Sequence, residues 1–371
     1  MYNQTKSSVL KWVFLFFFGV FAVFLFPKVA YAGTVAPSGE QYSNTDYDAI
    51  YAELQETGSV TLESGGTYYL SKRIMLESNW TIDATDATII TSGMIFNHDV
   101  TSKKYDSIFG VTIKGGTWKT TITDGYGKTL MHFTHAKNIT LQDMKIEACN
   151  YGGHSIELVA CKDVTIDHCK ITPLGKPSAT SVEEQIQIDI AAPATAPFLS
   201  SDYTNGLCCK NITITDCTVT GCRAICANYA ATDGGKYLKN FHENIVIKNC
   251  KLTGKTAEAL ALFNTTSATV SGNKIKTKAP TSRDSYSVGC HFAYFGKVPA
   301  SIKNTKIKIT KNKIYGGRQA LLVYSHSSSK YGTVTIKNNT LYCKKGAANA
   351  LKAPTTCIKK LKMSKNKTKS W

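Results

Sequence analysis

One short phrase recurs along this chain, and repeats of that kind must stack to bury anything. The copies are Ile139-Thr-Leu-Gln-Asp-Met144, Val164-Thr-Ile-Asp-His-Cys169, Ile212-Thr-Ile-Thr-Asp-Cys217 and Ile245-Val-Ile-Lys-Asn-Cys250, with weaker ones ending at Asn273, Asn312, Asn339 and Asn366. Successive ends lie 25, 48, 33, 23, 39, 27 and 27 residues apart, a unit in the twenties that carries insertions. Within each unit apolar and polar residues alternate, the period of a strand and not of a helix. Such a unit has too little apolar surface to fold alone. The pattern therefore predicts an all-β solenoid, a parallel β-helix.

Stacking puts equivalent residues ~4.8 Å apart along the axis. The phrase ends then form a column that runs from Met144 through Cys169, Cys217 and Cys250 to Asn273, Asn312 and Asn339. Amides at that spacing make a hydrogen-bonded ladder, and thiols stack as small apolar groups. A second strand precedes each phrase: Met131-His-Phe133, Ile156-Glu-Leu158, Ile186-Gln-Ile188, Ile225-Cys-Ala227, Leu260-Ala-Leu262 and Leu321-Leu-Val323. Outer members of each triplet point inward and the middle ones face solvent, which gives an outward column of His132, Glu157, Gln187, Cys226, Ala261 and Leu322. Two residues earlier runs a parallel column of Thr129, His154, Glu184, Arg223, Glu258 and Gln319.

The ends read differently. Lys6 and Lys11 precede an apolar run from Trp12 to Phe26, and Ala30-Tyr31-Ala32 supplies small residues for cleavage, so residues 1–32 are expected to be a secretory signal peptide. The product is then secreted, or held at the cell wall, with no membrane span after cleavage. Residues 33–45 read as a linker and 46–344 as the β-helix. Residues 46–57 form a short amphipathic helix, N-capped by Thr45 or Asp46 and ended by Gly58, that plugs the open end of the stack. Residues 345–371 are a Lys-rich end or cap.

Of a formal net charge of +18, all is carried after Asp284, where 17 Lys and Arg318 occur without one Asp or Glu. Such asymmetry points to a polyanionic partner. For an exported chain this means anionic cell-wall polymer or acidic polysaccharide, and not nucleic acid.

Asp46-Tyr-Asp-Ala-Ile-Tyr-Ala-Glu-Leu54, Gly65-Gly-Thr-Tyr-Tyr-Leu70 and Ser78-Asn-Trp-Thr-Ile82 resemble the opening of pectin-lyase-like, right-handed parallel β-helix proteins. Gly153-His-Ser-Ile156 and Glu184-Gln-Ile-Gln-Ile-Asp189 are similar to bacterial proteins of the polygalacturonase type, glycoside hydrolase family 28-like. The resemblance covers residues 45 to 340 and implies a carbohydrate-active β-helix. That family's Asn-Thr-Asp, Asp-Asp and Arg-Ile-Lys motifs do not occur here in matching form; Arg223-Ala-Ile225 stands where the last would be, with Cys226 in place of its Lys.

Glycosidic cleavage by acid–base chemistry needs two carboxyl groups ~5 to 9.5 Å apart. Glu184 and Asp189 are the expected acid/base pair, Glu157 the third carboxylate, and His154 the residue that orients them or relays a proton. Arg223, His132, Gln187, Asn228 and Tyr229 are the expected substrate-binding residues, in a groove rimmed by the inserts 173–183, 191–210 and 230–243. The leading function is an exported glycoside hydrolase acting on a polysaccharide, a polyuronide among the candidates. A polysaccharide lyase using Arg223 and Tyr229, with calcium, is the enzymatic alternative; the hydrolase needs no cofactor or metal. A non-catalytic surface β-helix that binds cell-wall or acidic polysaccharide is the third reading. The 12 cysteines fit no zinc-finger spacing and are expected as free thiols, with Cys208 or Cys209 the best disulfide candidates. No phosphate loop, Gly-x-Ser-x-Gly elbow or His-Glu-x-x-His motif is present.

Overall fold

The computed structural model describes residues 32–41, 43–121, 129–149, 153–231, 233–302 and 305–371. The expected signal peptide lies, but for Ala32, outside them. Among the described residues no helix is long and apolar enough to cross a membrane.

Among the described residues three parallel sheets of 13, 11 and 10 strands stack coil on coil, and each strand pairs with its equivalent one coil away. This is the parallel β-helix that the repeats predict. The first sheet holds the recurring phrases, in strands such as Lys162–Asp167, Lys210–Thr215 and Glu243–Lys248. The second begins just after each phrase end, as in Lys170–Leu174 and Thr218–Gly221. The third contains the triplets. Burial alternates along the strands of the first two sheets, and inward Ile, Val and Leu from all coils form one continuous core.

The phrase works because of its last two residues. Asp143, His168, Asp216, Asn249, Lys311, Asn338 and Lys365 all have positive φ, between 50° and 59°, and Gly272 fills the same place in its coil. Asp and Asn tolerate this left-handed conformation better than most side chains, which explains their recurrence at the corner. The next residue then points inward. There Asn273 Nδ2 donates to Asn312 Oδ1 at 2.9 Å, Asn312 to Asn339 at 2.9 Å and Asn339 to Asn366 at 3.0 Å. Each of these amides also donates to a backbone carbonyl one coil back, so the buried ladder is fully partnered. Where the column is Cys, the backbone N–H of Cys169 reaches the Cys217 thiol at 3.3 Å. All cysteines whose side chains are described are free, Cys208 and Cys209 included.

The capping helix α1 spans Thr45–Thr57, with Asn44 at the N-cap and Gly58 at φ 74° closing it onto the Leu54 carbonyl. Asp46 does not cap. Its buried carboxylate instead accepts from the Ser38 and Tyr69 backbone N–H groups, tying the helix to the first coil, while Ile50 and Leu54 bury against the core. Gly33–Val35, inside the segment read as a linker, is a strand paired with Ser59–Leu62. At the other end, Ile358–Ser364 and Lys367–Ser370 continue the first and second sheets, so the Lys-rich tail adds a coil.

Candidate functional site

The third sheet carries the expected cluster in the expected register. His132 pairs with Glu157, Glu157 with Gln187 and Gln187 with Cys226, while Glu184 lies opposite Arg223. Asp189 sits two residues along from Gln187, diagonal to Glu157. One wall thus collects the three carboxylates. The corner that places Arg223 is built by Gly221, where a Cβ would collide with the Arg223 carbonyl.

The wall is not open, however. Glu157 and Glu184 are only 7% and 5% exposed, and Asp189 is fully buried. The inserts fold over the wall as well as rimming it. Ala191, Ala196 and Leu199 pack on Val159 and Ala160, and Tyr237 packs with Ile190 and Ala230, in small satellite cores on the outer side of the strands. The middle positions read as solvent-facing are mostly covered too, His132 by Phe198, and Cys226 and Ala261 by packing with Phe263, Ala293 and Tyr229.

Each carboxylate has a different setting. Asp189 Oδ1 accepts from Asn228 Nδ2 at 2.9 Å, but its Oδ2 has no partner. Burial, with the Glu157 charge adding to it, pushes the Asp189 carboxyl well above the usual carboxylate range. Glu157 accepts a bond from the Thr129 hydroxyl at 3.0 Å, and burial raises its carboxyl too. Glu184 is held by Arg223 at 2.8 Å. The same guanidinium binds Glu258 at 2.9 Å, and Glu258 in turn holds His291 Nδ1 at 3.1 Å. Burial alone would raise Glu258; Arg223 and His291 override it and hold the group at about 2. Glu258 and His291 extend the polar chain past Arg223 toward the next coils.

His291 was missed because its strand, Val288–Tyr294, follows the insert around 278–287 and carries no strong copy of the repeat. It pairs on one side with Leu260–Phe263 and on the other with Gln319–Ser325, so a whole coil separates Ala261 from Leu322. The available signal was the alternation of Cys290, Phe292 and Tyr294.

His154 bonds to the Glu184 backbone carbonyl at 2.7 Å and lies 3.7 Å from its carboxylate. The His132 ring hydrogen-bonds to the Thr134 hydroxyl at 2.7 Å, not to the Glu157 side chain in register beside it, and packs edge-on against Phe198 at 4.2 Å. Burial, with His98 and His154 nearby, lowers its imidazole to about 3. Tyr229 stacks on Phe295 at 3.7 Å.

Two adjoining cavities flank Glu157. One, of about 350 Å³, is lined by His154, Glu157, Gln187, Phe198, Asn228 and Tyr229 among others. Its neighbour, of about 530 Å³, shares Thr129, Glu157 and Phe198 and adds Arg73, His98, His132 and Tyr203. Neither is lined by Glu184, Asp189 or Arg223. Phe198, absent from the expected site, is 51% exposed between the two. Gln187 Oε1 is a further acceptor there without a partner. Asp167, His168 and Asp216 also approach one another within 4.8 Å, at the corner between the first two sheets and not in this groove.

No protein-family model matches this chain, and no curated protein sequence does. Solved structures do. PfbA, a surface adhesin of Streptococcus pneumoniae, superposes with a TM-score of 0.61 at 16% identity, over 84% of this chain and 86% of that one. A second PfbA structure gives 0.56, also at 16% identity, over 91% and 97%. An endo-xylogalacturonan hydrolase from Aspergillus tubingensis gives 0.48 at 11% identity, over 92% and 93%. The likeness to PfbA is one of fold. It is the parallel β-helix.

Proposed function

We propose that this protein is an exported surface β-helix that binds a polysaccharide in the groove around Glu157 without cleaving it. The observation that carries this reading is the withdrawal of the expected acid/base pair: Asp189 has no exposure, and Glu184 is committed to Arg223. A two-carboxylate mechanism needs both groups in contact with the sugar or its water. What the groove presents instead suits recognition. Phe198 and Tyr229 offer ring faces and edges to sugar C–H surfaces, while Gln187, Asn228, His154 and Glu157 supply hydrogen-bonding groups. The β-helix of a surface adhesin among the structural matches accords with such a role.

The test is retention on a panel of immobilised neutral and acidic glycans. Wild type is expected to be retained by at least one, and Phe198→Ala or Tyr229→Ala to weaken that binding about tenfold, the loss of one ~1.4 kcal/mol contact. Unchanged retention in both variants contradicts the proposal.

One observation favours a second reading, a glycoside hydrolase with Glu157 as proton donor. Its carboxyl is raised by burial and borders both cavities, the property a general acid needs. That reading predicts new reducing ends from wild type and none from Glu157→Gln.

A further inference from the structure

On a different sheet, the last coils carry an array of cations with no counter-charge. Lys306, Thr333 and Lys360 are in register across three consecutive strands of the first sheet, as are Lys308, Thr335 and Lys362; Lys337 lies beside Thr310 and Ser364. The five lysines are exposed, while Ile307, Ile309, Val334 and Ile336 between them point into the core. Two residues along a strand span ~6.6 Å and two coils ~9.6 Å, so four ammoniums mark the corners of a rectangle with threonines across its middle. None of the five is in an ion pair among the described residues. Beside the array lies a cavity of about 750 Å³ lined by Lys330, Lys359 and Lys360 with the hydroxyl residues Ser328, Ser329 and Thr333. Lys360 and Thr333 belong to both.

We propose that this face and its cavity bind a linear polyol-phosphate polymer, as a site separate from the groove and independent of what the groove does. Like charges at these spacings repel, and a chain of anions running across them relieves the repulsion. Lysine is a compact point charge suited to phosphate oxygens, whereas planar carboxylates are gripped better by arginine forks. The array has no arginine; the one arginine after residue 284, Arg318, lies within 3.9 Å of Asp284 instead. The threonine hydroxyls add donors to the same oxygens. A single-stranded nucleic acid fits less well, because its bases need open aromatic faces. On this face Tyr331 is buried, while Tyr315, Tyr342 and Trp371 pack on one another along the second sheet. Lys360 and Lys362 also lie on the terminal strand, where lysines deter edge-to-edge pairing. That role does not explain Lys306, Lys308 and Lys337, whose strands are paired on both sides.

Binding of poly(glycerol phosphate) to the full exported chain tests this. Affinity is expected to fall steeply between ~50 and ~300 mM salt. The triple variant K306Q/K308Q/K337Q is expected to bind at least about tenfold more weakly at low salt, with unchanged circular dichroism and melting temperature. K306R/K308R/K337R, which keeps the charge, should bind within a few-fold of wild type, and Phe198→Ala should bind as wild type does. Wild-type affinity in the Gln triple variant overturns the site, as does loss of binding in the Arg variant. Equal affinity for polygalacturonate or double-stranded DNA, with the same loss in the Gln variant, overturns the polyol-phosphate assignment.

Discussion

Asp189 and Glu258 are buried carboxyls on the same wall, with opposite consequences for stability. Asp189 is raised by burial, so the folded chain holds a proton that the unfolded chain has released above about pH 3.9. Its contribution is therefore fully present below that pH and is lost as pH rises toward the folded value. Asp189→Asn is expected to remove this slope: little change in unfolding midpoint near pH 4, and a gain over wild type at neutral pH, measured by denaturant titration across pH. Glu258 is held at about 2, so its stabilisation is present above about pH 4.3 and is lost as pH falls toward 2. Arg223 links Glu258 to Glu184. Arg223→Met should cost about 3–5 kcal/mol, because it leaves buried charges unpaired. The same change in a chain already carrying Glu184→Gln and Glu258→Gln should cost much less. The Glu184–Arg223 contact was legible in the sequence, since two phrases fix the registers on either side. The loss of exposure was not. Ala191 and Ala196 look like loop residues until Val159 and Ala160 are seen beneath them, and Ala192 until it is seen packed with Ala230 and Tyr237.

At the scale of the coil, the corner residues account for most of what the sequence revealed. A left-handed residue followed by an inward one repeats so regularly that the amide ladder could be expected before it was observed. Asn312 both donates to and accepts from its neighbours in that ladder. Asn312→Ala is expected to lower stability by about 3 kcal/mol or more, since buried partners lose their bonds at ~1–3 kcal/mol each. Asn312→Leu, close to Asn in shape but unable to hydrogen-bond, is expected to cost about as much, because the same buried partners lose their bonds. Thermal unfolding by circular dichroism measures both. The Val288–Tyr294 coil shows the limit of reading by repeats. An insert displaced its phrase, and with it went His291 and the far end of the Arg223 network.

Among the described residues the β-helix is built on one main core, with different chemistry on its faces. The third sheet, covered by inserts, holds a groove with aromatic and hydrogen-bonding groups. The first sheet, over its last coils, holds unpaired lysines. Composition announced the second of these faces, because no acid follows Asp284. The groove needed three-dimensional contacts, since Phe198 comes from an insert with no repeat to place it. In the proposed complex a glycan lies along the third sheet beside Glu157. Amide hydrogen exchange with and without a bound oligosaccharide tests that directly. Slower exchange is expected in residues 191–207 and 228–231, with no change in 267–277 on the other two sheets; protection confined to the first or second sheet contradicts it.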